Sequence, residues 1–559
     1  MNQTVFDTSE ICHLHGVRYA VFSPGSRNAP LSISFHRHKH IQTRTIVDER
    51  SAAFIALGIA QATGTPVVVC CTSGTALLNY GPAIAEAHYQ NIPLIVLSAD
   101  RPPEWIDHWD GQTIRQQNVF ANFVKKFYQL PADLSHPGSK WDYQKKLREA
   151  IMVSQSGPKG PVHLNIPFRE PFYPEEGQKL AFSKDLAQLT VSNGNLSLSS
   201  DDISQLQKEW QHAKRKLIVL GQYHPTAREI DLLSTLSKQQ NVPIVSDIIS
   251  NGQQVTNVIQ HQDLFLQDQT AWNELHPDLI ISMGKSLISK NMKLFLRSAK
   301  TLQWRIDADP GFEDPYQNLT RIVRCKPEDL LEKLISELGQ EMKFKKLWQE
   351  RNNRAKDVLT LLEKLPYSEF VAFEHVMQWL PDDSEVHLAN SLPVRYANFI
   401  SSGRKAIRFF ANRGTSGIDG TNSTAVGHAL STERKTVLLT GDLSFLYDTN
   451  AFFHEYDLSN LFIIVFNNFG GGIFDMIPGP ARLAKSEKEA HFTTPHHRDL
   501  KLMAASCGLS YLKANDLVTL ELSLAGFFQS GTKAKVLEIQ TDRKINEKVF
   551  KEIKEQINE

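Results

Sequence analysis

Two stretches of this chain, Val67–Cys71 (VVVCC) and Leu461–Phe466 (LFIIVF), contain no charged or strongly polar side chain. A strand with one wet face alternates in polarity. An unbroken apolar run this short fits a strand covered on both faces, the condition of a parallel sheet packed between helices. Tyr19–Phe22, Thr43–Val47, Leu94–Ser98 and Val437–Thr440 read as further strands. Their ends are polar or glycine-bearing: Ser23-Pro24-Gly25-Ser26-Arg27, Asp48-Glu49-Arg50, Thr72-Ser73-Gly74-Thr75, Gly441-Asp442, and Asn467-Asn468 before Gly470-Gly471-Gly472. Helical segments at Ser51–Thr63 and near Tyr80–Gln90 separate the first of them. Strands alternating with helices predict an α/β fold of doubly wound parallel sheets.

At 559 residues the chain is too long for one core, and length alone suggests roughly three or four domains. A proline-rich run to Pro174 and a Ser/Asn-rich stretch at Ser192–Ser200 read as a linker. Lys216–Leu220, Val242–Asp247, Leu279–Ser282 and Leu302–Asp307 predict a smaller α/β unit. The charged helical segment Pro327–Leu362 then leads to a last domain that begins with a helix at Phe370–Leu380. The expected domains are 1–175, 190–345 and 365–559. The outer two are internally similar. At an offset of 370, Val67–Cys71 falls on Val437–Gly441 and Leu94–Ser98 on Ile464–Asn468; at 369, Gly58 meets Gly427 and Ala60 meets Ala429. Thr72 then stands where Asp442 does, Ser98 where Asn468 does, and Glu49 opposite Ile418.

Formal net charge is zero, so no nucleic acid or anionic membrane surface is expected as a partner. The longest apolar runs are too short to span a bilayer, and the opening MNQTVFDTSEICHLHG lacks the regions of a signal peptide. The five cysteines show no metal spacing, which predicts reduced thiols and a cytoplasmic protein.

In an open α/β sheet, ligands bind beyond the carboxyl ends of the strands. Asp442 and Asn468 sit at two such ends, and a carbonyl near Gly470 adds a third oxygen. That set suits Mg²⁺ bound together with substrate phosphates. Either residue alone is an ordinary turn former; the pair points more narrowly.

Finer motifs carry a resemblance. Gly441-Asp442-Leu443 is followed 26 residues after the aspartate by Asn468, within NNFGGGIF (Asn467–Phe474). Elsewhere stand FSPGSRNAPL (Phe22–Leu31), VDERSAAFIALGIA (Val47–Ala60), TSGTA (Thr72–Ala76), LSADRPPE (Leu97–Glu104), NSLPVR (Asn390–Arg395) and NRGTSGIDG (Asn412–Gly420). Together these resemble the thiamine diphosphate enzymes of the pyruvate-decarboxylase type, and within them the carboligases of menaquinone biosynthesis. The chain departs from the family pattern in three places. Leu443 replaces a glycine, Ser289-Lys290-Asn291 replaces a Lys-Arg pair, and Gly111 stands before Gln112 where asparagine is usual.

The resemblance implies a transferase that decarboxylates 2-oxoglutarate and adds the resulting succinyl carbanion equivalent to isochorismate in a 1,4-addition. It implies thiamine diphosphate with Mg²⁺ or Mn²⁺, the metal held by Asp442, Asn468 and Gly470. Cofactor contacts would come from Glu49, Thr72, Ser391, Ile418, Asp442, Leu443, Ser444, Asn468, Gly470, Gly471 and Ile473. Glu49 is the expected catalytic residue, hydrogen-bonding the pyrimidine N1′, and Ile418 the wedge beneath the bent cofactor. The two substrates present four carboxylates, and each charge-assisted hydrogen bond contributes about 1.5–3 kcal/mol, so one arginine could not hold both. Arg27, Arg395 and Arg413 are the implied cations, with Lys290 and with Ser26, Gln112 and Ser391 as helpers. Ile473, Phe474 and Ile477 are candidates to line the substrate pocket. In this superfamily Glu49 and the diphosphate site come from different subunits, which implies a homodimer at least and makes a tetramer plausible. The rival readings are another carboligase such as an acetohydroxyacid synthase, or a non-catalytic thiamine diphosphate-binding protein.

Overall fold

The computed structural model of the chain describes residues 2–558 except 179, 192–196, 310, 336–340, 361–363, 402–405 and 478. Part of the expected Ser192–Ser200 linker and part of the expected Pro327–Leu362 helical segment therefore lie outside the described residues.

Three wholly parallel sheets organise the molecule. The first holds β1 (Tyr19–Phe22), β2 (Gln42–Thr45), β3 (Val67–Cys71), β4 (Leu94–Asp100), β5 (Phe127–Gln129) and β6 (Val162–Pro167), in the order β2-β1-β3-β4-β6-β5. The middle sheet holds β7 (Lys216–Leu220), β8 (Ile244–Ser246), β9 (Leu279–Met283), β10 (Leu302–Asp307) and β11 (Leu319–Arg324), ordered β11-β10-β9-β7-β8. The last holds β12 (Glu385–Leu388), β13 (Arg408–Phe410), β14 (Thr436–Gly441), β15 (Leu461–Asn467), β16 (Ser510–Ala514) and β17 (Lys535–Gln540), ordered β13-β12-β14-β15-β17-β16.

The first and last orders are the same when each strand is numbered within its own sheet. β3 corresponds to β14 and β4 to β15, the pairs that the offset of 370 aligns. Every residue of β3, β4 and β15 is buried, as the apolar runs Val67–Cys71 and Leu461–Phe466 require; β4 also buries Ser98 and Asp100. The described residues of the charged segment after the middle sheet include the helices Pro327–Leu334 and Met342–Leu359. The middle sheet has one strand more than its apolar runs predict: β11 (LTRIVR) is an edge strand, mostly half-exposed, and its polar residues hide it.

The helix Glu49–Thr63 starts on Asp48, whose carboxylate accepts the Ser51 amide at 3.0 Å, and stops at Gly64 in the left-handed conformation. From Ser51 to Ala60 it is buried all round, because it lies between its own sheet and the buried helix Thr421–Ala429 of the last domain. These two form the most extensively packed helix pair among the described residues. A Cβ on Gly58 would stand 2.2 Å from the Thr424 carbonyl oxygen, and one on Gly427 would stand 2.2 Å from that of Ile55. Gly58 corresponds to Gly427 and Ile55 to Thr424 in the offset of 369, so each helix offers the other the same contact. That reciprocity is the mark of an isologous, two-fold interface, here made inside one chain. No helix among the described residues is long and apolar enough to cross a membrane.

Candidate active site

At the carboxyl end of the last sheet lies a cavity of about 330 Å³. Asp442, at the end of β14, is 2% exposed. Its Oδ1 accepts the Leu443 amide at 2.7 Å; its Oδ2 accepts the Gly470 amide at 2.8 Å and lies 3.0 Å from His496 Nε2. Asn468, just past β15, donates its amide nitrogen to Glu369 Oε2 at 2.7 Å. That leaves Asn468 Oδ1 buried with no partner. An orphaned amide oxygen beside a carboxylate, with Gly470–Gly472 on the same wall, is the donor set a hard divalent cation takes up. The residues present therefore fit the metal and the diphosphate that the sequence implies.

Ser391, Arg395, Arg413, Ile418, Leu443, Ser444, Ile473, Phe474 and Ile477 line the same cavity, so the C-terminal candidates converge. Ser391 precedes the helix Leu392–Ile400 with φ 80°, a strained value for serine. Its carbonyl accepts a hydrogen bond from Arg395, one turn on. Arg413 donates to Asn390 Oδ1 at 2.9 Å, while its Nε is buried without a partner. Burial lowers the pKa of both guanidiniums, and for Arg413 the neighbouring Arg395 adds to the effect. Two cations held against their own repulsion make a strong anion site.

The N-terminal candidates do not line this cavity, whose described walls all come from Glu369 onward. They gather instead at the carboxyl end of the first sheet. Thr72 is buried with an unpartnered hydroxyl, against which Gly25 packs. Ser26 and Gln112 are exposed, and Gln112 lies against Gly74. Glu49 is half-buried at the start of its helix. Its neighbours Asp48 and Arg50 are tied to Asn450 and Tyr447 of the last domain. Arg27 is buried, donates to the Phe168 carbonyl at 2.8 Å, and borders a separate cavity of about 360 Å³ with Arg101 and Arg169.

Lys290 is exposed at the start of the helix Lys290–Ser298. One turn later Lys293 is half-buried, its pKa lowered by burial and by the field of Arg413. Its ammonium donates to the Leu287 carbonyl at 3.2 Å, and neither lysine lines the cavity. Sequence reading missed Glu369. It is fully buried, and burial pushes its carboxyl up to about 8. Its bond to Asn468 spans 99 positions, so no local pattern announces it. A cleft of about 1110 Å³ lies in the middle domain between Trp210 and Phe344. None of its described lining residues carries a buried, unpartnered side-chain polar atom.

Residues 6–120 match the family model for the N-terminal TPP-binding domain of thiamine pyrophosphate enzymes, and residues 194–388 match the model for their middle domain. A 2-succinyl-5-enolpyruvyl-6-hydroxy-3-cyclohexene-1-carboxylate synthase of Cytophaga hutchinsonii is 42% identical over 100% of this chain and 99% of its own length. Synthases of the same name from Porphyromonas gingivalis and Bacteroides fragilis are 38% and 34% identical, each over 97% of this chain.

Proposed function

The chain belongs to the 2-succinyl-5-enolpyruvyl-6-hydroxy-3-cyclohexene-1-carboxylate synthase family of thiamine diphosphate enzymes, and on that premise we propose that it decarboxylates 2-oxoglutarate and joins the four-carbon remainder to isochorismate by 1,4-addition in menaquinone biosynthesis. The observation that carries the proposal is the meeting of Asp442, Asn468, Arg395 and Arg413 in one cavity at the carboxyl end of the last sheet.

When bound, thiamine diphosphate supplies a nucleophilic carbon that adds to the keto group and accepts the electron pair left as CO₂ departs. The chain's own residues do the rest. Asp442, Asn468 and the Gly470 carbonyl would hold Mg²⁺ or Mn²⁺ against the diphosphate. The amides of Leu443 and Gly470 fix the Asp442 carboxylate, and Glu369 takes the Asn468 amide nitrogen, so that the oxygen would be the atom left for a metal. Ile418 would support the cofactor from below, with its carbonyl accepting the Ser444 hydroxyl at 3.3 Å. Arg395 and Arg413 would clamp substrate carboxylates, with Lys293 adding positive field from the middle domain. Ile473, Phe474 and Ile477 would exclude water from the reacting carbon.

Glu49 would move the proton at pyrimidine N1′. Because the cavity's described walls contain no N-terminal residue, a second copy supplying Glu49, Thr72, Arg27, Ser26 and Gln112 completes the site, which favours a homodimer or a dimer of dimers. An acetohydroxyacid synthase, handling small apolar 2-oxo acids, would have no use for two arginines in this cavity. Cytoplasmic residence is part of the proposal, supported by five free cysteines.

The test is one assay: isochorismate and 2-oxoglutarate with Mg²⁺ and thiamine diphosphate, following loss of isochorismate. Consumption that requires both substrates is expected. A folded, cofactor-loaded protein that leaves isochorismate untouched refutes the proposal.

A further inference from the structure

Glu86 lies on the helix Gly81–Gln90 of the first domain and is 1% exposed. Burying a carboxylate is costly unless donors satisfy it, and most of these donors come from another domain. Oε1 accepts the Gly414 amide at 2.8 Å; Oε2 accepts the Thr415 amide and the Thr415 hydroxyl, both at 2.6 Å. Gln90, one turn on, donates to Oε1 as well. The approach is close enough to require glycine at 414, where a Cβ would stand 2.8 Å from the Glu86 carbonyl oxygen and 3.1 Å from its carboxyl carbon.

The residue before this clamp is Arg413. Its guanidinium is held on one side by Asn390 Oδ1, and Asn390 in turn donates to the carbonyls of Asn412 and Gly417, both at 2.7 Å. The segment 412–417 is thus tied from below by Asn390 and from outside by Glu86. Arg413 Nε, buried without a partner, is left for an acceptor.

We propose that Glu86 is a positioning residue of the reaction: acting from the first domain through the backbone of Gly414 and Thr415, it sets where the Arg413 guanidinium meets a substrate carboxylate. This rests on the reading above that Arg413 binds substrate. Glu86 does not touch the reacting atoms. It forms no part of the cavity wall, so its effect should fall on substrate affinity rather than on cofactor retention.

The test uses the cofactor-loaded enzyme and four variants, Glu86→Ala, Glu86→Gln, Thr415→Val and Arg413→Ala, with the double variant Glu86→Ala/Arg413→Ala. For Glu86→Ala, KM for the substrate held by Arg413 should rise about tenfold or more, while kcat falls less than about threefold. Its thiamine diphosphate affinity by titration calorimetry should stay within about twofold. Glu86→Gln, which keeps an acceptor oxygen, should recover part of the KM loss. The double variant should be no worse than Arg413→Ala alone within about twofold, because the two act as a unit. Thr415→Val removes one bond at an exposed position and should raise KM about two- to fivefold. It and Glu86→Gln decide the matter if Glu86→Ala does not fold.

Wild-type KM in Glu86→Ala and Thr415→Val, multiplicative losses in the double variant, or a parallel loss of cofactor affinity would each overturn the inference. If Arg413→Ala itself leaves KM unchanged, the parent reading of Arg413 fails instead.

Discussion

Replacing Gly58 by alanine puts a methyl carbon 2.2 Å from the Thr424 carbonyl oxygen and 3.1 Å from the Gly427 Cα. Both neighbours are backbone, so no side-chain rotation relieves the clash, and contact near 3.4 Å requires the helices to part by about 1 Å in a close-packed interior. Overpacking of this kind costs about 1–3 kcal/mol, and a neighbour that cannot rotate away puts Gly58→Ala near the upper end. Alanine's better helix propensity returns about 1 kcal/mol, leaving a net destabilisation of about 2 kcal/mol. The control is Gly526→Ala. Gly526 lies in the helix Leu517–Phe527 with nothing within 4 Å of the added Cβ, so the propensity gain acts alone and should stabilise by up to about 1 kcal/mol. Thermal unfolding of both variants beside wild type reads the difference, used as a ranking because a chain of several domains need not unfold in two states. The helix that Gly58 presses on follows the segment Asn412–Gly420, so KM should rise in Gly58→Ala as the arginine loop shifts. A Gly58→Ala protein as stable as wild type, or a Gly526→Ala protein equally destabilised, would refute the reasoning.

Asn468→Ala deletes the orphaned oxygen and the shorter of two side-chain bonds to Glu369, leaving the one from Asn546 at 3.3 Å; Mg²⁺-dependent binding of thiamine diphosphate, measured by calorimetry, should weaken about 10- to 100-fold. Glu49→Gln should cut turnover by about 10² or more while diphosphate binding stays near wild type; near-normal turnover would unseat Glu49. Burial raises the Asp448 carboxyl from 3.8 to about 7. Its folded form therefore holds a proton that the unfolded chain has already lost, and Asp448 subtracts from stability progressively as pH rises from about 4 to about 7. Asp448→Asn should shrink the fall in urea midpoint between about pH 5 and about pH 7.5; an unchanged pH slope would contradict the assignment.

The sequence discloses the interior of this fold better than its rim. β3 and β15 are covered on both faces, so burial writes itself into the apolar runs Val67–Cys71 and Leu461–Phe466. β11 at the edge of the middle sheet, and the three-residue strands β5 and β13, carry too few apolar residues to stand out. The strand-end candidates Asp442 and Asn468, which line one cavity, were legible because a parallel sheet puts functional groups at its carboxyl ends. Glu86 and Glu369 were not, since their bonds join residues 328 and 99 positions apart. Lys290 and Lys293 show a third kind of limit. The resemblance implies Lys290 at the motif position, but the helical turn between the two leaves Lys290 exposed and Lys293 half-buried.

A cavity whose described walls all come from the last domain, with Glu49 outside them on the same chain, has a genetic consequence. If two copies face each other, each site takes Glu49 from one copy and Asp442 from the other. A strain carrying one allele with Glu49→Gln and another with Asp442→Ala would then assemble mixed dimers in which one site collects both defects and the other collects neither. Random pairing should restore roughly a quarter of wild-type activity from two inactive genes.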